Sequence, residues 1–131
     1  MEKKTISFIC FVFLTFILSC KKNNTGDDLV VGKWRLIEIN FGLGGIHRVP
    51  ENEIHLYTFS SNHQYSYTKN DTLIKSGTYS TFKKMIQLAN MEGWFIGLYP
   101  ENSEWVINRN GNQLYIWQDV VDGGGLRFNR Y

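Results

Sequence analysis

The 131-residue chain is short of the residues that most chemistry needs. It has two cysteines, Cys10 and Cys20, enough for one disulfide at most and not for a disulfide-rich scaffold. It has three histidines, His47, His55 and His63, and none lies in a His-Glu-x-x-His spacing. They read as ordinary surface side chains, with no metal site expected; His55 and His63, on neighbouring strands, are the two able to approach each other. Gly-x-Ser-x-Gly is absent. The glycine-rich runs 42–45 and 123–125 lack phosphate-loop spacing and read as turns. Glu101 with Glu104, and Asp119 with Asp122, flank turns, where carboxylates are usually solvated rather than catalytic. No enzyme activity and no cofactor are expected. The formal net charge of +2 has no concentrated basic patch, which argues against a nucleic-acid surface. No apolar run approaches the roughly 20 residues of a membrane-spanning helix.

What is present begins at the amino terminus. Lys3 and Lys4 precede a run from Ile6 to Leu18 that is apolar except for Ser7 and Thr15. Small Ser19 and then Cys20 follow. A charged start, a short apolar core and a small residue are the layout of a secretory signal. Ile17-Leu18-Ser19-Cys20 resembles the bacterial lipobox, although Leu18 is bulkier than the usual residue there. That resemblance implies cleavage after Ser19 and a lipid on Cys20, which becomes the membrane partner. Each buried methylene contributes about 0.8 kcal/mol, so two or more acyl chains anchor stably where one does not. In lipobox families an aspartate directly after the cysteine implies retention at the inner membrane. Lys21 stands there instead, so the resemblance implies the outer membrane of a double-membrane bacterium.

The expected organisation is a signal over residues 1–19, a lipid-anchored polar tether over 20–28 and one domain over 29–131. Losing Lys3, Lys4 and Glu2 leaves 12 basic against 11 acidic side chains. Sixteen aromatics remain once Phe8, Phe11, Phe13 and Phe16 are removed, a large apolar load for so small a domain. With Cys10 discarded and Cys20 acylated, that domain must be held by its core alone.

The domain reads as short strands parted by turns. The expected strands are 30–40, 53–60, 64–69, 73–80, 84–89, 94–99, 104–109, 113–118 and 126–131. Residues 41–50 read as a loop, and a helical turn is possible near Val49–Glu53. Asn110-Gly111 between apolar runs is a strong hairpin signal, since both residues tolerate positive φ. Strands joined by two to five residues must be antiparallel neighbours. The fold class is therefore all-β, an antiparallel up-and-down meander of eight or nine strands closing as a barrel or packing as a sandwich.

Gly32-Lys33-Trp34 opens the first strand and Arg130 ends the last. This pattern is similar to the Gly-x-Trp signature of lipocalins, whose barrels belong to the calycin group. The resemblance covers about residues 29–131. It implies that Trp34 packs under a basic residue of the final strand, Arg130 or failing that Arg127, and closes the barrel floor, a favourable cation–π contact. It also implies one small hydrophobic ligand in the barrel of a monomeric protein. Phe59, Tyr65 and Tyr79 are the pocket candidates, placed inward by alternation. Eight strands give an interior that is either just filled or able to hold one small ligand. The alternative is a filled barrel acting as an interaction module, such as an inhibitor, immunity or envelope-assembly lipoprotein, with the 94–100 stretch WFIGLYP as its exposed patch.

Overall fold

The computed structural model describes residues Thr25–Tyr131. The signal and Cys20 lie outside the described residues. A four-residue helix, α1 (Asp27–Val30), leads into nine strands: β1 (Gly32–Asn40), β2 (Ile46–Arg48), β3 (His55–Phe59), β4 (Gln64–Lys69), β5 (Thr72–Ile86), β6 (Met91–Tyr99), β7 (Ser103–Asn110), β8 (Gln113–Trp117) and β9 (Gly125–Arg130). All pairs are antiparallel neighbours in chain order from β3 onward, as their short connections require. β9 then returns to β1, from Trp34↔Arg130 to Asn40↔Gly125. This pairing closes the sheet and removes its long edges.

Nine strands make eight staves, because β2 and β3 share one edge of β1. β3 pairs with Gly32–Arg35 and β2 with Glu38–Asn40. The result is a closed antiparallel eight-stranded barrel with one extra strand, consistent with a lipocalin-like barrel. A bulge between Leu36 and Glu38 keeps β1 in register with β9.

Alternation along each strand sends one set of side chains inward. Trp34, Leu36, Phe59, Tyr65, Tyr79, Ile96, Leu98, Ile107, Leu114, Ile116 and Phe128 form the main core with Val30. A second cluster occupies the outer face. Phe82, Phe95, Val106 and Trp117 form one cross-strand row over β5, β6, β7 and β8. Ile86 packs with that row and lies across Gly93, where a Cβ would collide with it. The Asp119 carboxylate accepts the backbone N–H groups of Gln87 (2.7 Å) and Leu88 (3.1 Å). The tip of the β5–β6 hairpin is thereby tied to the segment after β8.

Several expectations change. The expected tether, 20–28, overlaps the fold at its end: Asp27 and Asp28 form part of α1, and Asp27 is bonded to His63 and Thr81. The two strands expected at 73–80 and 84–89 are one strand, β5, whose first half pairs with β4 and whose second half pairs with β6. The expected loop 41–50 contains a turn of 3₁₀ helix (Gly42–Gly44) and β2. No helix forms at Val49–Glu53, where a single turn stands instead, closed by the Glu53 N–H donating to Pro50 O at 3.0 Å. The 94–100 stretch is not an exposed patch: Phe95, Ile96 and Leu98 are buried.

Candidate functional site at the open end of the barrel

The two ends of the barrel differ. At one end α1 plugs the floor. Trp34 is fully buried, and its indole Nε1 donates to the Val30 carbonyl at 2.6 Å. The Arg130 guanidinium lies 4.8 Å from the centre of the indole ring, and that of Arg109 lies 5.3 Å from it. Both arginines also donate to backbone: Arg130 to Val31 O (2.9 Å) and Arg109 to Asp28 O (3.0 Å). Three side chains thus satisfy the carbonyls that a four-residue helix and its exit leave free. Gly32 is glycine for two reasons. Its φ is +133°, and a Cβ there would run into the Arg130 guanidinium. Gly32, Trp34 and Arg130 are therefore placed together as one closure. Arg127 is not part of it and instead pairs with Glu38 at 2.6 Å. Arg109 was not anticipated, since nothing in a hairpin residue two positions before Gly111 distinguishes it from a surface cation.

The same end carries a polar latch. Asp27 Oδ2 meets His63 Nε2 at 2.6 Å, and Thr81 Oγ1 donates to Asp27 Oδ1 at 2.6 Å. Burial pushes the Asp27 carboxyl up, but the bonds from Thr81 and His63 and the charge of His63 outweigh it and hold the group below its ordinary value. Tyr79 stacks edge-on against His63 and Phe59. Its hydroxyl donates to Ser60 O, and burial, with Asp27 nearby, pushes its pKa up to about 12.

The opposite end is open. A chamber of about 340 Å³ lies between the segment after β1 and the segment after β8, walled by Ile39, Phe41, Trp105, Gln118, Asp122 and Leu126. Below it an inner cavity of about 70 Å³ reaches the barrel axis. Trp105 and Leu126 border both spaces. The inner cavity is apolar on the barrel side, with Phe59, Leu98, Ile116 and Phe128. Tyr57, Lys75, Glu101 and Ser103 give it a polar side.

Those polar groups are organised. Glu101 Oε1 accepts from Tyr65 Oη (2.5 Å) and from Lys75 Nζ (2.9 Å). Burial raises the Glu101 pKa, but the bonds from Tyr65 and Lys75 prevail and keep it ionised. Tyr67 donates to or accepts from His55 Nδ1 at 2.7 Å, while His55 Nε2 meets Glu53 at 2.9 Å. The His55 bond is the largest cause holding the Glu53 carboxyl below its ordinary value, followed by Lys69. Tyr57 stacks on Tyr67 at 4.6 Å and meets the Phe128 edge at 5.2 Å. Burial, then the neighbouring Tyr67 and Glu101, raise its pKa, so its phenol stays protonated. Tyr65, Tyr67 and Tyr79 have their hydroxyls engaged, whereas that of Tyr57 has no protein partner among the described residues.

The pocket candidates divide. Phe59 lines the inner cavity. Tyr65 and Tyr79 are inward but belong to the packed core, both 2% exposed. Tyr57, Trp105, Leu126, Lys75 and Glu101 line the space and are not among those three candidates. Tyr57 was legible as an alternate residue two positions before Phe59; Lys75 and Glu101 were not, because a charged residue on a strand reads as outward and one in a turn as solvated. His55 and His63 do not meet: His55 sits in the Glu53–Tyr67 chain and His63 on Asp27. No cluster of three metal-ligating side chains occurs among the described residues.

Comparison with known proteins gives no guide: no family model, no curated protein and no solved structure matches this chain.

Proposed function

We propose that this chain is an exported, lipid-anchored lipocalin-like protein that holds one small amphiphilic ligand at the open end of its barrel. The observation that carries the reading is a pair of adjacent spaces, the roughly 340 Å³ chamber and the 70 Å³ inner cavity, both bordered by Trp105 and Leu126. Small-molecule sites are concave, mostly apolar and about 300–1,000 Å³, with a few placed polar groups. Here the polar groups are the Tyr57 phenol and the Lys75–Glu101 pair. The apolar body of the ligand enters past Trp105 and Leu126, and its hydroxyl or carboxyl group meets Tyr57 and Lys75. The deep barrel is filled by Trp34, Tyr65, Tyr79 and Phe128, so a long acyl chain does not thread it.

The anchor fits this geometry. A lipid on Cys20 is followed by four residues before Thr25, and extended chain spans at most about 3.6 Å per residue. The tether therefore joins at the floor, beside α1, and the mouth opens away from the anchoring membrane, toward ligand in the aqueous space. Binding, not catalysis, is the activity proposed.

A filled interaction module is the second reading. It is favoured by exposed apolar side chains on the segments flanking the mouth: Phe41, Leu43, Ile46, Val120 and Val121. Native mass spectrometry of the chain purified gently from a bacterial host separates the two. The ligand reading predicts a discrete added mass of a small molecule, released on mild activation and lost in a Trp105→Ala variant. A bare mass, unchanged after exposure to short-chain alkanols, alkanoates and phenols, contradicts it and favours the interaction module.

A further inference from the structure

A second depression lies on the outer face and adjoins the rim of the mouth, with Asn40, Gly125 and Leu126 bordering both. Leu114 and Ile116 face the core, so Tyr115 and Trp117 face out; by the same alternation Gly125 and Arg127 face out beside core-facing Leu126 and Phe128. Glu38 and Asn40 flank core-facing Ile39 and complete the set. Register then builds two short rows. One runs Trp117↔Gly125↔Asn40 and the other Tyr115↔Arg127↔Glu38. The centre of the first row has no side chain. The gap is a cleft of about 250 Å³ with Trp117 and Tyr115 on one wall, Glu38 and Asn40 on the other, and Arg127 beside it.

The backbone does not demand glycine at 125: its φ is outside the left-handed region. A Cβ there would stand 3.2 Å from Ile116 O and from Trp117 Cβ, so a side chain would fill the cleft. The polar wall is held in place yet not exhausted. Glu38 pairs with Arg127 through a single guanidinium nitrogen at 2.6 Å, and Arg127 Nε is buried with no hydrogen-bond partner. A buried donor without a partner costs free energy until something accepts from it. Asn40 uses its carbonyl oxygen on Gly42 N–H at 2.9 Å, leaving its amide N–H donors for a ligand. The Trp117 ring is steadied by packing on the Val106–Phe95–Ile86 cluster.

The geometry points to a hexopyranose-binding cleft on the outer face of β8, β9 and β1. A pyranose ring presents a flat face of C–H groups and a rim of hydroxyls. The face suits an aromatic platform. The hydroxyls suit a wall of carboxylate, amide and guanidinium, where one hydroxyl accepts from Arg127 or Asn40 and donates to Glu38. The Glu38–Arg127 pair compensates its own charge, so the sugar favoured is neutral. This cleft shares no side chain chemistry with the Tyr57–Lys75–Glu101 set and stands whether or not the mouth binds anything.

The full chain, labelled with ¹⁵N-tryptophan in a sugar-free zwitterionic detergent, gives one indole signal for each of its four tryptophans. It is titrated with methyl β-glucopyranoside, methyl α-mannopyranoside and N-acetylglucosamine. A saturable shift of the Trp117 indole is expected with at least one of them, while the Trp34 indole, bonded to Val30, stays still. Gly125→Val abolishes the shift with the other three signals unchanged. Should Gly125→Val fail to fold, Glu38→Gln is the variant read, and it weakens the sugar by about tenfold through loss of a charged hydrogen bond. Three results overturn the inference: no saturable shift with any of the sugars, an unaltered response in the folded variant, or a Trp117 shift produced by a proline-rich peptide and by no sugar.

Discussion

The floor and the mouth of this barrel are built from the same strands with opposite outcomes. At the floor the polar side chains are paired within the chain: Trp34 on Val30, Arg130 on Val31, Arg109 on Asp28, His63 and Thr81 on Asp27. At the mouth the segments after β1 and β8 leave apolar side chains in solvent, such as Leu43 at 87% and Val121 at 77% exposed. An ion pair and a free phenol stand over empty space. The contrast teaches where each end does its work. Stability is concentrated where the chain enters, and the other end is released from packing and so free to receive something.

Breaking the floor gives the largest effect. Trp34→Ala removes a fully buried indole, its hydrogen bond and the platform for two guanidinium groups. A loss of about 3–5 kcal/mol in denaturant unfolding is expected. Trp105→Ala, at the mouth, costs less than half as much; equal losses would erase the contrast. Arg130→Met keeps the stem and removes the charge, with an expected loss of about 1–2 kcal/mol from the cation–π contact and the Val31 bond. Arg130→Lys recovers only part of it, because the planar guanidinium both covers the ring and reaches the carbonyl.

Smaller effects sharpen the comparison. Asp27 has a folded pKa below its ordinary value of 3.8. A depressed carboxyl stabilises the folded state fully above the unfolded pKa and loses that contribution as pH falls through the folded one. The stability difference between the wild type and Asp27→Asn is therefore full at neutral pH and shrinks in strong acid, below about 3.8. A difference that instead grows toward acid would contradict the latch. The smallest effect belongs to Lys75→Ala. The Lys75–Glu101 pair is partly exposed, its side chains 40% and 30% accessible, so under about 1 kcal/mol of stability is at stake. Its consequence is expected in ligand affinity instead, read by titration of the variant with short-chain alkanoates.

How much of this was legible depends on which residues interact along the chain and which across it. Alternation and turn signals such as Asn110-Gly111 gave the antiparallel meander, and the resemblance to lipocalins implied both its closure as a barrel and the packing of Trp34 under Arg130. Alternation also placed Phe59, Tyr65 and Tyr79 inward. It failed at β5, where Lys83 and Lys84 look like a strand end but lie mid-strand, facing Glu92 on β6 and Glu104 on β7. The outer cluster of Phe82, Phe95, Val106 and Trp117 was hidden for a related reason. Residues that alternate outward are expected in water, and only the reach of Ile86 over Gly93 and the Asp119 tie covers them. The site itself was half visible: its aromatics carry a strand signal, while Lys75 and Glu101 meet only when a β5 residue and a turn residue after β6 are brought to the same rim.

The most direct test of the two-ended account is an indole-resolved ¹⁵N titration of the chain with a homologous series of short alkanoates. The account predicts that the Trp105 signal shifts saturably, that affinity rises with chain length and then stops rising once the inner cavity is full, and that Trp34 does not move. A shift of Trp34 together with Trp105, or no saturable shift at Trp105 at any length, would contradict it.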